Sequence, residues 1–285
     1  MTIAIAESIE KTRAAVARAR ADGRTVGLVP TMGALHEGHA SLIRRARSET
    51  GFVVVSIFVN PAQFGRHEDL ARYPRPFEHD VQYCDREGAD LIFHPEVVSI
   101  FPPGFSSYVE VHGVQDRLEG ASRPGHFRGV ATVVLKLFQI VQPDVAFFGQ
   151  KDAQQYRVID TMARDLNVPV RLRMCPIIRE ADGLALSSRN AYLTETQRRS
   201  ATVLSQALGE VRQQIESSER RAEPLVELAR SRIAAAPESR LDYVAVVDFG
   251  TFEPLNALRG EVLVAVAAFF GETRLIDNLL VDIPS

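Results

Sequence analysis

Short apolar runs that alternate with amphipathic segments constrain the fold of this chain more than any other feature of its sequence. The run "FVVVSIFVN" is almost continuously apolar, which is typical of a central parallel strand covered on both faces. The runs "VGLVP", "ADLIFHP", "DVAFFG" and "VPVRLRMCP" are also predicted strands, and helical patterns separate them. Strands that alternate with helices predict an α/β fold with a doubly wound parallel sheet.

The pattern changes from about residue 178. A polar loop, "IIREADGLALSSRNAYL", is followed by two predicted helices over residues 195–217 and 222–236. The strand-like runs "LDYVAVVDF", "EVLVAVAAFF" and "TRLIDNLLV" close the sequence. We therefore predict an N-terminal domain over residues 1–177 and a smaller α+β domain with an antiparallel sheet over residues 178–285.

Composition argues against several classes of protein. The 285 residues carry a formal net charge of −3 without a Lys/Arg tract, so we expect neither nucleic acid nor a membrane as a partner. The sequence lacks an apolar stretch of about 18 residues and a signal-peptide pattern, so we expect a cytoplasmic protein. Cys84 and Cys175 form no metal or redox motif. Asp80 is expected to be a solvated helical carboxylate rather than a metal ligand, and no metal site built from side chains is predicted.

The segment "VPTMGALHEGH" places two histidines three residues apart where a strand gives way to a helix. In a helix that begins near His36, His36 and His39 lie on one face, and Gly38 lets a base or a phosphate approach the backbone closely. Thr31 and Met32 line the turn, and the helix N-terminus adds N–H donors for an anion. We favour a phosphate-binding site here, and the alternative is a capped helix with two solvated histidines.

The segment "GQKD" follows the predicted strand "DVAFF". Gly149 permits a tight turn, and Lys151 is a point charge suited to a phosphate. Asp152 can accept a hydrogen bond from a ribose hydroxyl. A helix cap beside a solvated lysine is an equally good interpretation of this motif alone.

The segment "LSSRN" offers two hydroxyls and a guanidinium on a polar loop. Ser187 and Ser188 can donate to phosphate oxygens, and Arg189 can bind a phosphate bidentately. We interpret it as a mobile loop that wraps a triphosphate, and a capped loop leading into the next helix is the alternative.

Uncharged polar side chains follow two of the predicted strands. Asn60 and Gln63 follow one strand and Gln155 follows another, so a small molecule with hydroxyls and a carboxylate would suit this edge. Arg123 and His126, in "SRPGHFRG", can close the same pocket. Each of these residues can equally be a loop hydrogen-bonder. Because ligands bind beyond the carboxyl ends of strands in doubly wound sheets, we expect the three clusters that follow strands, "TMGALHEGH", "NPAQF" and "GQKDAQQY", to gather on one rim.

Taken together, these motifs resemble the pantothenate synthetase (pantoate–β-alanine ligase) family. The resemblance rests on "PTMGALHEGH", "SIFVNPAQF", "RPGHFRGVATVVLKL", "FFGQKDAQQ" and "READGLALSSRNAYL", in the family's order and with family-like spacing. "HEGH" is similar to the signature of class I aminoacyl-tRNA synthetases and adenylyltransferases. "LSSRN" corresponds to the KMSKS-like loop of that superfamily, with Leu186 where Met is frequent.

The resemblance implies a Rossmann-like N-terminal domain, a smaller C-terminal lid and a homodimer. It implies ATP-dependent condensation of (R)-pantoate with β-alanine through a pantoyl adenylate, with Mg²⁺ and with release of AMP and diphosphate. His39 would be the proton donor, and Gln63 and Gln155 would hold pantoate. The expected catalytic residues are His36, His39, Lys151, Ser187, Ser188 and Arg189. The expected ATP-binding residues are Thr31, Met32, Gly33, Ala34, Leu35, His36, Glu37, Gly38, His39, Gly149, Gln150, Lys151, Asp152, Ile178, Leu186, Ser187, Ser188 and Arg189.

Two other functions stay open at this point. An adenylyltransferase that leaves AMP on its product would explain "HEGH" but not the amide cluster of Asn60, Gln63 and Gln155. A nucleotide-binding sensor would need the glycines but neither Lys151 nor paired histidines.

Overall fold

The computed structural model describes residues 3–65 and 68–284. The chain divides into two compact units, Met1–Pro176 and Ile177–Ser285. Within the described residues, no helix is both long and apolar enough to cross a membrane.

A six-stranded parallel sheet forms the first unit, in the order β1-β4-β3-β2-β5-β6. The apolar run at residues 52–57 is the interior strand β3, and all six of its residues are buried. Val53 and Val55 pack in one cluster with Ile43 of the preceding helix. The doubly wound α/β fold predicted from the sequence is therefore confirmed. The strands are β1 (Ala4–Ala6), β2 (Val26–Thr31), β3 (Phe52–Ile57), β4 (Leu91–Phe93), β5 (Val145–Gly149) and β6 (Arg171–Cys175).

The helices of this unit begin where the sequence offers caps or turns. Ser8 accepts a hydrogen bond from the Lys11 N–H at 3.2 Å and caps the first helix. The three-residue strand β1 was not predicted, because a short edge strand leaves almost no periodic signal. The helices are α1 (Ile9–Ala21), α2 (Glu37–Glu49), α3 (Phe77–Arg86), α4 (Val97–Ile100), α5 (Glu119–Ser122), α6 (His126–Val141) and α7 (Ala153–Asp165).

The second unit packs helices on a three-stranded antiparallel sheet in the order β7-β8-β9. Its buried cluster joins Leu204 and Leu225 of two helices to Val264 in the central strand. This is the predicted α+β arrangement. Its elements are α8 (Glu195–Ala201), α9 (Val203–Glu216), α10 (Ala222–Ala234), β7 (Ser239–Asp248), β8 (Gly260–Phe270) and β9 (Thr273–Ile283).

The continuous helix predicted over residues 195–217 was wrong, because the structure interrupts it at Thr202. The Thr202 hydroxyl donates to the Arg199 carbonyl at 2.7 Å. A threonine hydroxyl that bonds to the preceding turn competes with the helical backbone. The apolar positions of α9 lie on one face as expected, so the break leaves the packing pattern intact.

Candidate active site

The carboxyl ends of β2, β3 and β5 lie side by side, because the sheet order places β3-β2-β5 in succession. The segments that carry the histidine pair, Gln63 and Lys151 follow these three strands. Direct contact joins two of the segments, since Gln63 Nε2 lies 3.0 Å from Met32 Sδ. The predicted common rim is confirmed for these segments.

The two histidines cap the helix that they open. His36 is the N-cap of α2, and its Nδ1 accepts the Gly38 N–H at 3.2 Å. His39 Nδ1 accepts the His36 N–H at 3.3 Å, and the two ring centroids are 4.2 Å apart. Because both Nδ1 atoms act as acceptors, the proton of each neutral ring is on Nε2. The pair therefore supplies two N–H donors at a helix N-terminus.

Burial lowers the pKa of His39 well below its ordinary value, and the charges of His36 and Lys151 lower it further. At neutral pH His39 is accordingly neutral and donates a hydrogen bond through Nε2–H. A nearby phosphate would oppose these effects, because an anion favours the protonated ring.

Lys151 is not the solvated lysine of the alternative interpretation. Its side chain is only 20% exposed, and its Nζ lies 3.7 Å from Asp152 Oδ1. Within the described residues, Asp152 makes no side-chain hydrogen bond that caps α7. "GQKD" is therefore a 3₁₀ turn, Gln150–Asp152, that carries a partly buried lysine whose charge lowers the pKa of His39.

The turn that leads into α2 has left-handed backbone conformations at Gly33 (φ 83°) and Ala34 (φ 51°). The carboxylate of Asp80 holds this turn: Oδ2 accepts the Ala34 N–H and Oδ1 accepts the Leu35 N–H, both at 2.8 Å. Asp80 is 1% exposed, so the expectation of a solvated carboxylate was wrong. Its spacing from buried Cys84, i to i+4 on α3, was the sequence signal that it faces the core.

Asn60 and Gln63 form one buried amide pair. Asn60 Oδ1 accepts the Ala62 N–H at 3.2 Å and caps a 3₁₀ turn. Asn60 Nδ2 donates to Gln63 Oε1 at 3.0 Å and to the Gly129 carbonyl at 3.1 Å. The donor to Gln63 Oε1 fixes the amide so that Nε2 faces Met32. With 1% exposure, Asn60 orients Gln63 rather than lining an open surface.

His126 holds the backbone of the same turn. The Arg123 guanidinium can only donate and lies 3.1 Å from His126 Nε2, so Nε2 is the acceptor. His126 Nδ1–H then donates to the Gln63 carbonyl at 2.9 Å. Burial and the charge of Arg123 lower the pKa of His126 to about 4, so the ring is neutral. Glu68 in turn binds Arg123 bidentately at 2.9 and 2.6 Å, a partner that the sequence did not suggest.

Gln155 and its neighbour differ in environment. Gln154 is buried and bonds to the backbone of Glu119, Val114 and Arg117. Gln155 is partly exposed at the start of α7, one turn beyond Lys151. Of two adjacent glutamines, the one predicted to contact a ligand has the more open position.

The serine–arginine loop of the second unit is built on a short hairpin. Leu186 N–H donates to the Ile178 carbonyl at 3.0 Å. Ser187 Oγ accepts the Arg189 N–H at 3.3 Å and caps the 3₁₀ turn Ser188–Tyr192. The three proposed phosphate ligands thus occupy a capped turn, and the local backbone is hydrogen-bonded.

Ion pairs hold this hairpin within the second unit. Arg179 binds the carboxylate of Asp277 at 2.6 and 2.9 Å, and Asp277 is 3% exposed. Arg198 of α8 binds Asp182 at 2.7 Å and Glu180 at 2.6 Å. The carboxylates of Glu180 and Asp182 in the hairpin are therefore both bound by a residue of α8.

The described residues contain no cluster of three or more His, Cys, Asp or Glu that could hold a metal ion. Cys84 and Cys175 are buried free cysteines. Burial, with a smaller effect from Asp80, raises the pKa of Cys84 to about 12, so its thiol is protonated and unreactive.

The family model for pantoate-β-alanine ligase matches residues 4–280. The chain belongs to the pantoate–β-alanine ligase family. A pantothenate synthetase of Moorella thermoacetica is 53% identical over 277 residues, which cover 97% of this chain and 98% of that protein. One of Caldicellulosiruptor saccharolyticus is 49% identical over 96% of this chain and 98% of its own length.

Solved structures of this ligase family share the fold over nearly all of the chain. The crystal structure of the pantothenate synthetase from Thermus thermophilus has a TM-score of 0.93 at 45% identity, covering 97% of this chain and 99% of that one. A pantoate–β-alanine ligase from Francisella tularensis, complexed with βγ-ATP and β-alanine, has a TM-score of 0.79 at 36% identity, covering 98% and 97%. The family named by the sequence motifs is therefore confirmed.

Proposed function

We propose that this protein condenses pantoate with β-alanine through a pantoyl-adenylate intermediate, consuming ATP and releasing AMP and diphosphate. One observation carries the proposal: His36 and His39 present two Nε2–H donors at the N-terminus of α2, where the charge of Lys151 acts on His39, and the preceding turn contacts the amide of Gln63 through Met32. Such a rim combines donors for phosphate with an amide for a hydroxy acid.

The first step is attack of the pantoate carboxylate on the α-phosphorus of ATP. Charge then spreads over the phosphate oxygens and the departing diphosphate. His36, His39 and Lys151 can stabilise that charge as preorganised donors. Because the pKa of His39 is low in the absence of ligand, its first contribution is a hydrogen bond. Transfer of a proton from His39 requires that the phosphate first raise this pKa.

In the second step the β-alanine amine attacks the activated carbonyl and displaces AMP. An alkyl amine with a pKa near about 10 is mostly protonated at neutral pH, so it must lose a proton before attack. Neutral His39 and the AMP phosphate are the two candidate acceptors.

We assign ligand contacts to three groups of residues. Gln63 and Gln155 would bind pantoate, while Asn60, Arg123 and His126 would hold Gln63 in place. The glycine-rich turn and "GQKD" would bind ATP, and the second unit would contribute Ile178 and the capped loop. In full, the proposed ATP ligands are residues 31–39, 149–152, Ile178 and 186–189.

Mg²⁺ would enter with ATP as part of the substrate. The described residues provide no three-ligand cluster of acids or histidines. Mg²⁺ keeps several waters and is often bound through substrate phosphates and few carboxylates, so the phosphates of ATP and water would be its main ligands. We also propose a cytoplasmic homodimer, as the family resemblance implies, and light scattering on the purified protein tests the dimer.

Product analysis tests the proposed function. The protein is incubated with ATP, Mg²⁺ and pantoate, with and without β-alanine, and the products are identified by mass. Without β-alanine, about one pantoyl adenylate per active site should accumulate. With β-alanine, pantothenate, AMP and diphosphate should form in equal amounts. A final product that retains AMP in the presence of β-alanine would favour an adenylyltransferase, and unchanged ATP would contradict catalysis of either kind.

A further inference from the structure

The reaction steps above do not use the carboxylate of Asp80, although it is the most buried acidic group beside the site. It lies on α3 with 1% exposure. Its two oxygens accept the N–H groups of Ala34 and Leu35, each at 2.8 Å. One side chain thus fixes two consecutive peptide groups of the turn between β2 and α2.

This turn needs an external support, because its backbone is unfavourable for ordinary residues. Ala34 has a φ of 51°, a left-handed conformation that is costly for a residue with a Cβ. The turn and the carboxylate fit closely: a Cβ on Gly33 would lie 2.9 Å from Asp80 Oδ2 and 3.1 Å from Ile57 Cγ2. A shift of the carboxylate would therefore move the turn.

The path of the turn determines where the histidines point. Leu35 directly precedes His36, and the His36 N–H donates to His39 Nδ1. If the Leu35 peptide moves, the first turn of α2 and both Nε2–H donors move with it. We propose that Asp80 is a positioning residue for adenylation, which sets the direction of the histidine donors by holding Ala34 left-handed. This inference rests on the proposed function for its kinetic test.

Electrostatics and positioning predict opposite results for Asp80→Asn. The carboxylate is a negative charge beside a site proposed to bind phosphates, so its removal alone would favour ATP binding. An asparagine keeps one acceptor but turns an NH₂ donor toward a backbone N–H donor. If positioning dominates, adenylation should slow even though a repulsive charge has been removed.

The experiment compares wild type, Asp80→Asn and a matched control, Asp144→Asn. Asp144 also accepts a strand-terminal N–H, that of Val26 at 2.7 Å, but at the opposite end of β2. Pantoate-dependent ATP–diphosphate exchange and the unfolding temperature are measured for each. Asp80→Asn should lower the saturated exchange rate about 10- to 100-fold, as a small misplacement does, with the KM for pantoate within about three-fold. Asp144→Asn should change only the unfolding temperature.

A second substitution tests the backbone mechanism. Glycine adopts positive φ readily, so Ala34→Gly in the Asp80→Asn background should restore exchange about two- to five-fold. If Asp80→Asn alone proves insoluble, the double variant is compared with Ala34→Gly, and a loss smaller by that factor of about two to five is expected. An Asp80→Asn rate equal to wild type, or a loss that Asp144→Asn reproduces, would overturn the role of Asp80.

A readout without substrates separates this inference from the proposed function. The ring-nitrogen NMR shifts of His36 and His39 should change in Asp80→Asn and stay constant in Asp144→Asn. Unchanged shifts would overturn the inference. Failure of wild type to exchange would instead contradict the proposed function, and the NMR comparison would still decide the role of Asp80.

Discussion

Replacement of Gly129 by alanine should move the turn that carries Gln63. Gly129 lies on α6, and a Cβ built there would be 2.2 Å from the Ala62 carbonyl oxygen and 2.6 Å from the Gln63 nitrogen. Ordinary van der Waals contact begins at 3.4 Å, so helix and turn must separate by about 1 Å. A misplacement of that size can cost about 10²-fold in rate, or about 2.7 kcal/mol of transition-state stabilisation.

The stability of the same variant has two opposing contributions. Alanine is a better helix former than glycine by up to about 1 kcal/mol, whereas overpacking a tight contact costs about 1–3 kcal/mol. Gly129→Ala should therefore be destabilised by up to about 2 kcal/mol. Steady-state kinetics with varied pantoate and thermal unfolding measure the two effects.

Gly209→Ala is the matched control. Gly209 lies within α9, and apart from its chain neighbours and the backbone of its own helix no described atom is within 4 Å of a Cβ built on it. This variant should gain about 0.5–1 kcal/mol, or about 1–4 °C, with wild-type kinetics. A Gly129→Ala protein with wild-type kinetics, or one stabilised as much as Gly209→Ala, would refute the argument that α6 positions Gln63.

Three further outcomes are expected. Lys151→Ala should lower the single-turnover adenylation rate about 10²–10³-fold with little effect on pantoate affinity. A rate within a few-fold of wild type would contradict a role of "GQKD" in phosphate chemistry and leave it only a structural role. Since burial lowers the pKa of His126 to about 4, the unfolded chain binds more protons than the folded chain below pH ~6.5. The free energy of unfolding should therefore fall by up to about 3 kcal/mol as the pH drops from about 6.5 to 4. His126→Asn, whose amide can still donate to the Gln63 carbonyl, should flatten that pH dependence in denaturant titrations. An equally steep profile in the variant would contradict the assignment of the effect to His126. Asp277→Asn should destabilise the second unit by about 1–3 kcal/mol, because Arg179 loses a charge-assisted partner. The same variant should be cleaved faster by protease within residues 178–190. Cleavage at the wild-type rate would argue against anchoring of the hairpin by Asp277.

The sequence allowed the sheet and the polar rim at its carboxyl edge to be predicted, because both depend on local pattern. A strand buried on both faces is continuously apolar, and β3 shows that pattern directly. Once parallel strands are assigned, the polar residues at their carboxyl ends must share an edge. His36 shows that the two interpretations of "HEGH" were compatible: it caps α2 locally, and it also presents a donor at the rim.

Tertiary partners could not be predicted in the same way. The bonds of Asp80 go to backbone groups 45 and 46 positions earlier, and the Arg123–Glu68 pair spans 55 positions. No local periodicity carries such information. Gln154 and Gln155 are chemically identical neighbours, so only the packing of α7 decides which one is buried. The break at Thr202 likewise depends on one side-chain bond that competes with the backbone.

The strand order of the sheet also determines when the site can form during synthesis. Gly27 of β2 pairs with Val145 of β5, and about 118 residues separate them. At about 5–20 residues per second of translation, roughly 6–24 s pass before β5 can cover that side of β2. During this interval the backbone N–H and C=O groups on one edge of β2 lack their partners in β5, and such an edge is a template for pairing with other chains. The edge of β2 is therefore open to such pairing while the residues between β3 and β5 are being made, and Lys151, which follows β5, is synthesised only after that interval.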